Sequence, residues 1–255
     1  SSTNYINMYM IKVLYTLIIL ILLSACGMRD SDNEIKLSTL IEADFTFTQD
    51  LFNCNLNQNQ SLISLETYFS KNIKKYMSLA EQENLKVSIF FPENNSNITN
   101  FIISIISDKN HVGVKKFVDM INNDNFKNIA FCQFPIYQNR GLNFKDGLTS
   151  SNLYLNAEIL RCKFNEGYNF GTFEIAINKF INSFRLIELP YSISYLEDNS
   201  EDNSFIWINY FYKEDYQKIL LDNWIGNSDS LEIKNEFSEN ATCIDSKKYK
   251  SYKLL

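Results

Sequence analysis

Phe52-Asn53-Cys54-Asn55-Leu56 and Leu160-Arg161-Cys162-Lys163-Phe164 are the two stretches whose reading decides the fold. Each places a cysteine between polar residues with apolar residues at both ends, and the cysteines lie 108 residues apart (54 to 162). The helical stripes that follow keep the offset: Leu65, Phe69, Ile73 and Tyr76 answer to Phe173, Ile177, Ile181 and Phe184. Further on, Leu85–Asn95 (LKVSIFFPENN) matches Leu189–Asn199 (LPYSISYLEDN) at an offset of 104. Phe101–Ser107 (FIISIIS) matches Phe205–Phe211 (FIWINYF) at the same offset, and Cys132 matches Cys243 at 111. Features recurring in one order, with small changes of loop length, mark an internal repeat.

Each copy reads alike. Phe45 to Leu56 is a strand. Ser61 to Ala80 is a helix with Leu62, Leu65, Phe69, Ile73, Tyr76 and Met77 on one face and Ser61 as its N-cap. Leu85 to Phe91 and Phe101 to Ser107 are strands, turned at Pro92 and the asparagine-rich segment 94–100. Val114, Phe117, Val118 and Ile121 stripe a second helix, and Ile129 to Tyr137 is the last strand. In the second copy, Phe173, Ala176, Ile177, Phe180, Ile181 and Phe184 stripe the first helix, and Tyr216, Ile219, Leu220 and Trp224 the second. The boundaries are 43–138 and 153–255 for the repeats, with a linker at 139–152 holding Gly141 and Gly147.

The order β-α-β-β-α-β resembles the ferredoxin-like split βαβ unit. Two such units in tandem resemble the α+β barrel superfamily, in which two sheets pack as a dimer or as a fused pseudo-dimer. The expected fold class is therefore α+β: two tandem βαββαβ ferredoxin-like units, their antiparallel sheets packed as a pseudo-dimeric α+β barrel. In a ferredoxin-like unit the first and last strands lie side by side and antiparallel. That resemblance implies disulfides Cys54–Cys132 and Cys162–Cys243, one of three possible connectivities. Each would close a loop of about 80 residues, stabilising by roughly 4 kcal/mol in the chain-entropy model. A metal site or redox pair is the alternative. The sequence contains no Cys-x-x-Cys, and its one histidine is His111. Haem-binding members of the superfamily rely on a histidine ligand, which the second copy lacks.

Leu23-Ser24-Ala25-Cys26 follows the apolar run Val13 to Leu23, with Lys12 ahead of it and Met8 or Met10 as the expected start. It resembles the lipobox of bacterial lipoproteins. Eleven apolar-rich residues suit a cleavable signal better than a membrane span, which needs about 20. The resemblance implies a signal peptide and lipobox over 1–26, lipid on Cys26, and a polar tether over 27–42. The protein would face the periplasm, anchored in the bacterial envelope. An aspartate after the cysteine resembles an inner-membrane retention signal, so Gly27 favours the outer membrane. With Cys26 lipidated, four cysteines remain, an even number in an exported protein.

The formal charge of −6, with no basic cluster larger than the helical patch Lys71, Lys74 and Lys75, argues against a nucleic-acid partner. The seven glycines form no phosphate loop, there is no G-x-S-x-G elbow, and a Ser/His/Asp triad has only His111 to draw on. No catalytic residue, metal ligand set or cofactor is expected from these patterns. Tyr191 and Tyr195 on one strand, with Trp207 and Tyr210 on the next, read either as core or as the walls of a pocket. Arg161, Glu158 and Asp215 are the charged groups expected near its mouth. The expected function is an envelope lipoprotein, non-catalytic, that binds a small ligand or an envelope protein. The alternatives are a cofactor-independent monooxygenase-like enzyme of the barrel superfamily and a purely structural envelope component.

Overall fold

Strand β1, Phe45–Leu56, joins more neighbours than one strand has edges, because different parts of its length serve different partners. The computed structural model describes residues 45–93, 98–107, 112–133, 139–145, 154–183, 191–197, 203–212, 215–226 and 228–255. The lipobox, the tether, His111 and Glu214 lie outside them, as do the side chains of Tyr191 and Tyr216. The remaining strands are β2 Leu85–Pro92, β3 Asn100–Ser107, β4 Ala130–Gln133, β5 Asn139–Lys145, β6 Tyr154–Phe164, β7 Tyr191–Glu197, β8 Ser204–Phe211 and β9 Ala241–Lys253. The helices are α1 Leu62–Tyr76, α2 Leu79–Glu83, α3 Val112–Ile121, α4 Asp124–Lys127, α5 Phe170–Ser183, α6 Tyr216–Ile225 and α7 Ser230–Asn240.

The sheet order is β3-β2-β9-β6-β8-β7-β5-β1-β4, and a further β1–β3 pairing closes it into a barrel. Every pairing is antiparallel. Two ferredoxin-like units build this barrel as expected, and each lends a strand to the other. β9 pairs with β6 of its own unit and also with β2 of the first. Its counterpart β5 pairs with β1 of its own unit and with β7 of the second. Asn139–Lys145 was expected to be linker and is instead this bridging strand. Its pairing relies on backbone groups facing β1 and β7, which a weak apolar pattern does not advertise.

Period-two alternation divides each strand between two cores. Phe90, Ala157, Ile159, Leu196, Ile206, Ile208, Tyr210 and Tyr249 fill the barrel. Inside it Gln49 Nε2 donates to Ser104 Oγ at 2.8 Å and to Tyr210 Oη at 3.1 Å, joining the two units. The outer face of the first unit packs Phe52, Phe101, Ile103 and Ile105 against α1 and α3 through Leu65, Phe69, Val114 and Phe117. Ser61 caps α1, its hydroxyl accepting from Ser64 N–H at 3.4 Å. The helix stops at Tyr76 rather than reaching Ala80. Ser78 N–H donates to Glu81 Oε2 at 2.9 Å, which starts α2 afresh. In the second unit Phe173, Ile177 and Ile181 of α5 pack on Ile193, Phe205, Trp207 and Phe211.

The two expected disulfides form between strand neighbours in register. Cys54 lies opposite Cys132 and Cys162 opposite Cys243, each with an S–S distance of 2.01 Å. Among the described residues no helix is long and apolar enough to cross a membrane.

Candidate functional site

The two units differ in how their helices close on the sheet. In the first, α3 sits tight because Gly113 has no side chain. A Cβ there would lie 3.1 Å from Leu85 Cγ and 3.2 Å from the Glu81 carbonyl oxygen. The matching turn of α6, Tyr216-Gln217, holds no glycine. The first unit fills the space beneath its helices with Phe117, Met120 and Phe126, all 0 % exposed. Tyr68 adds to the filling, donating to the Met120 carbonyl at 2.7 Å and accepting from Asn123 Nδ2 at 2.8 Å. The second unit has Ala176 at the position of Tyr68 and keeps a cavity of about 310 Å³.

The cavity floor is the outer face of β6 and β8. Glu158, Leu160 and Cys162 alternate along one strand, and Phe205, Trp207, Asn209 and Phe211 along the other. Phe173 and Phe180 of α5, Gln217, Leu220, Leu221 and Trp224 of α6, and Lys234 and Phe237 of α7 form the roof, with Cys243 at one end. The rings meet edge to face: Phe180 to Trp224 at 5.0 Å, Phe173 to Phe237 at 5.1 Å, Trp207 to Phe173 at 5.9 Å. This is the favoured arrangement for aromatic quadrupoles. Both tryptophans of the chain stand in these walls.

One end of the cavity is polar and ordered. Trp207 Nε1 donates to Asn209 Oδ1 at 2.7 Å, which turns the Asn209 amide toward Glu158 Oε2 at 3.3 Å. Ser246 Oγ donates to the other Glu158 oxygen at 2.9 Å. Lys248 Nζ donates to Gln217 Oε1 at 3.1 Å, tying β9 to α6 across the mouth. The site thus joins an apolar slot to a fixed carboxylate.

Of the residues expected to form a pocket, Trp207 lines it. Tyr195 is buried beside it, its ring 4.8 Å from Phe170 and 5.2 Å from Phe205, and burial pushes its phenol up. Tyr210 does not join them. It stands three residues from Trp207, so the pleat sends it into the barrel, where burial raises its phenol. Arg161 is exposed and alternates away from Glu158 and Cys162. The backbone of Tyr191 lies in β7. Glu158 reaches the cavity as expected, and Asp215 precedes α6 without a capping bond from its side chain.

The sequence reading missed α7. Its signal was Phe237, six residues before Cys243, just as Phe126 lies six before Cys132. The haem that some α+β barrel proteins hold through a histidine does not fit this cavity. Among the described lining residues there is no histidine, and both sulfurs are tied in a disulfide. No group of three or more potential metal ligands gathers among the described residues.

No protein-family model matches this sequence, and no curated protein matches it significantly. Solved structures match its architecture. A monooxygenase, described as putative, from Lactobacillus acidophilus superposes with a TM-score of 0.52 at 12 % identity, covering 83 % of this chain and 95 % of its own. Chlorite dismutase from Candidatus Nitrospira defluvii superposes with a TM-score of 0.53 at 8 % identity, covering 85 % of this chain and 95 % of its own. At these identities the likeness is one of fold: the chain has the ferredoxin-like α+β barrel architecture of both.

Proposed function

We propose that the protein is a lipid-anchored binder of a small, flat, largely apolar ligand, held in the second unit between the sheet and α5–α7. The observation that carries this is the aromatic-walled cavity of about 310 Å³, present where the first unit packs side chains solid. Its size and lining fall in the range of small-molecule sites, with few polar groups to orient the ligand. Leu23-Ser24-Ala25-Cys26 supports the anchor, with lipid on Cys26 and the folded part outside the cytosol.

Because both tryptophans line the cavity, tryptophan emission, excited beyond the tyrosine absorption band, reads this site. Saturable quenching by a bicyclic probe such as 1-naphthol is expected. Leu220→Phe, which copies the filling role of Phe117, should weaken it at least tenfold. Probes that leave the emission of the folded protein untouched would reject the reading. Metabolic labelling with a palmitate analogue should mark the wild type and not Cys26→Ala.

A second reading, a cofactor-independent monooxygenase-like enzyme, draws on the fold shared with the L. acidophilus protein and on the Trp207–Asn209–Glu158 chain. Oxygen uptake in the presence of a bound phenol, lost in Glu158→Gln, distinguishes it from binding alone.

A further inference from the structure

The two disulfides occupy equivalent places in the repeat and have unlike surroundings. Cys54 and Cys132 are 1 % and 6 % exposed, both packed in the core of the first unit, and Cys54 borders a separate cavity of about 590 Å³ without either cysteine reaching solvent. Cys162 is buried at 3 %, whereas Cys243 is exposed, and both line the cavity. The cause is local. The β6–β9 ladder slips register between Arg161 and Cys162, so β9 carries an extra residue beside the cysteine. Such a bulge turns the strand and re-aims its side chains. Thr242, Cys243 and Ile244 all face solvent as a result, Ile244 at 80 %.

From this asymmetry we propose that Cys162–Cys243 is a thiol–disulfide exchange site, open to a small dithiol through the cavity mouth, while Cys54–Cys132 is a closed structural link. Exchange requires a thiolate to reach a sulfur, so access decides which disulfide reacts. The dithiol thiolate attacks Cys243 Sγ, forming a mixed disulfide and breaking the bond to Cys162, whose thiolate takes up a proton. The second thiol of the reagent, on losing its proton, closes the reagent's own disulfide and releases Cys243, which is protonated in turn. The reagent loses two electrons, the cystine gains them, and two protons pass to the cysteines. Opening this link frees one end of the cavity wall. The Asn165 amide still donates to the Ser238 and Glu239 carbonyls, at 3.0 and 2.8 Å, and holds the turn into β9. The loosened wall grips a ligand less well, a consequence that rests on the cavity being the ligand site; selective exchange does not rest on it.

The test is graded reduction of the native, full-length protein with dithiothreitol, with differential alkylation and peptide mapping at each time. Cys162 and Cys243 should become alkylated at least tenfold faster than Cys54 and Cys132, with circular dichroism unchanged. Both pairs opening together, or the first pair opening sooner, would overturn the proposal. In a second arm, the selectively reduced protein should bind 1-naphthol several-fold more weakly than the oxidised form. Equal affinity there would remove the coupling to the cavity and leave the exchange site standing. In a third arm, Ile244→Asp and Ile244→Ala, which keep the bulge, should leave the rate ratio within twofold. A ratio that collapses in both would overturn the access argument.

Discussion

Tyr195 and Tyr210 stand on the adjacent strands β7 and β8 and point to opposite sides of the sheet, and both are kept neutral by burial. For Tyr195 the Glu197 carboxylate adds to the effect; for Tyr210 the bond from Gln49 opposes it. An unfolded tyrosine ionises at about pH 10. The folded groups hold their protons to higher pH, so above about pH 10 the unfolded state sheds protons first. The stability these two tyrosines contribute is fully present below pH 10 and is lost as pH rises, by about 1.4 kcal/mol per pH unit for each group. Urea unfolding from pH 8 to 11.5 should show this decline, with a shallower slope in Tyr195→Phe. The same pair shows what residue-level reading captured. Alternation placed Tyr195 and Ile193 on one face, and it also forbids Trp207 and Tyr210 from sharing one. The cavity itself was not legible, because it depends on how side chains of α5, α6 and α7 meet over the strands, a space that Tyr68, Phe117 and Phe126 fill in the first unit.

At the scale of the element, α4 and α7 hold the same place before the last strand and do different things. Phe126 of α4 is 0 % exposed and packs on Phe69 and Tyr68 at 5.8 and 5.2 Å. Phe237 of α7 is partly buried and borders open space. Phe126→Ala should cost about 3–5 kcal/mol in urea denaturation, as other buried phenylalanines do. Phe237→Ala should cost roughly 1–2 kcal/mol, since less apolar surface leaves water there. A larger loss at Phe237 would contradict the packing described. Helix α7 escaped the sequence reading because Leu231, Ile233 and Phe237 are too sparse to make a stripe among charged neighbours. What fixes its end is tertiary: the Asn165 side chain binding its last carbonyls from across the sheet. Strand β5 was missed for a similar reason, its place being set by two waiting backbone edges. The strands around the cysteines were legible because alternation, β-branched residues and register coincide there.

For the whole molecule, the duplication readable in the sequence is real in three dimensions, and its two copies have diverged in one respect above all. The first packs Phe117, Met120 and Phe126 solid beneath α3 and α4, leaves a cavity of about 550 Å³ beside α1 at Leu62, Phe69 and Tyr252, and pairs Lys116 with Glu81 at 2.6 Å. The second carries the aromatic cavity, both tryptophans, the bulge and the cystine with an exposed Cys243.

Because β5 and β9 each complete the other copy's sheet, neither copy owns a finished edge. A fragment covering residues 43–152 would carry two bare rims, each shaped to receive the same strand from a twin. Such a piece should assemble as a two-chain ring, with twice the fragment mass in native mass spectrometry; a stable lone species would argue otherwise. The peptide between the halves then acts as a tether that raises local concentration rather than as scaffolding. A nick within it should leave the pieces clasped, each gripping the other by a borrowed strand.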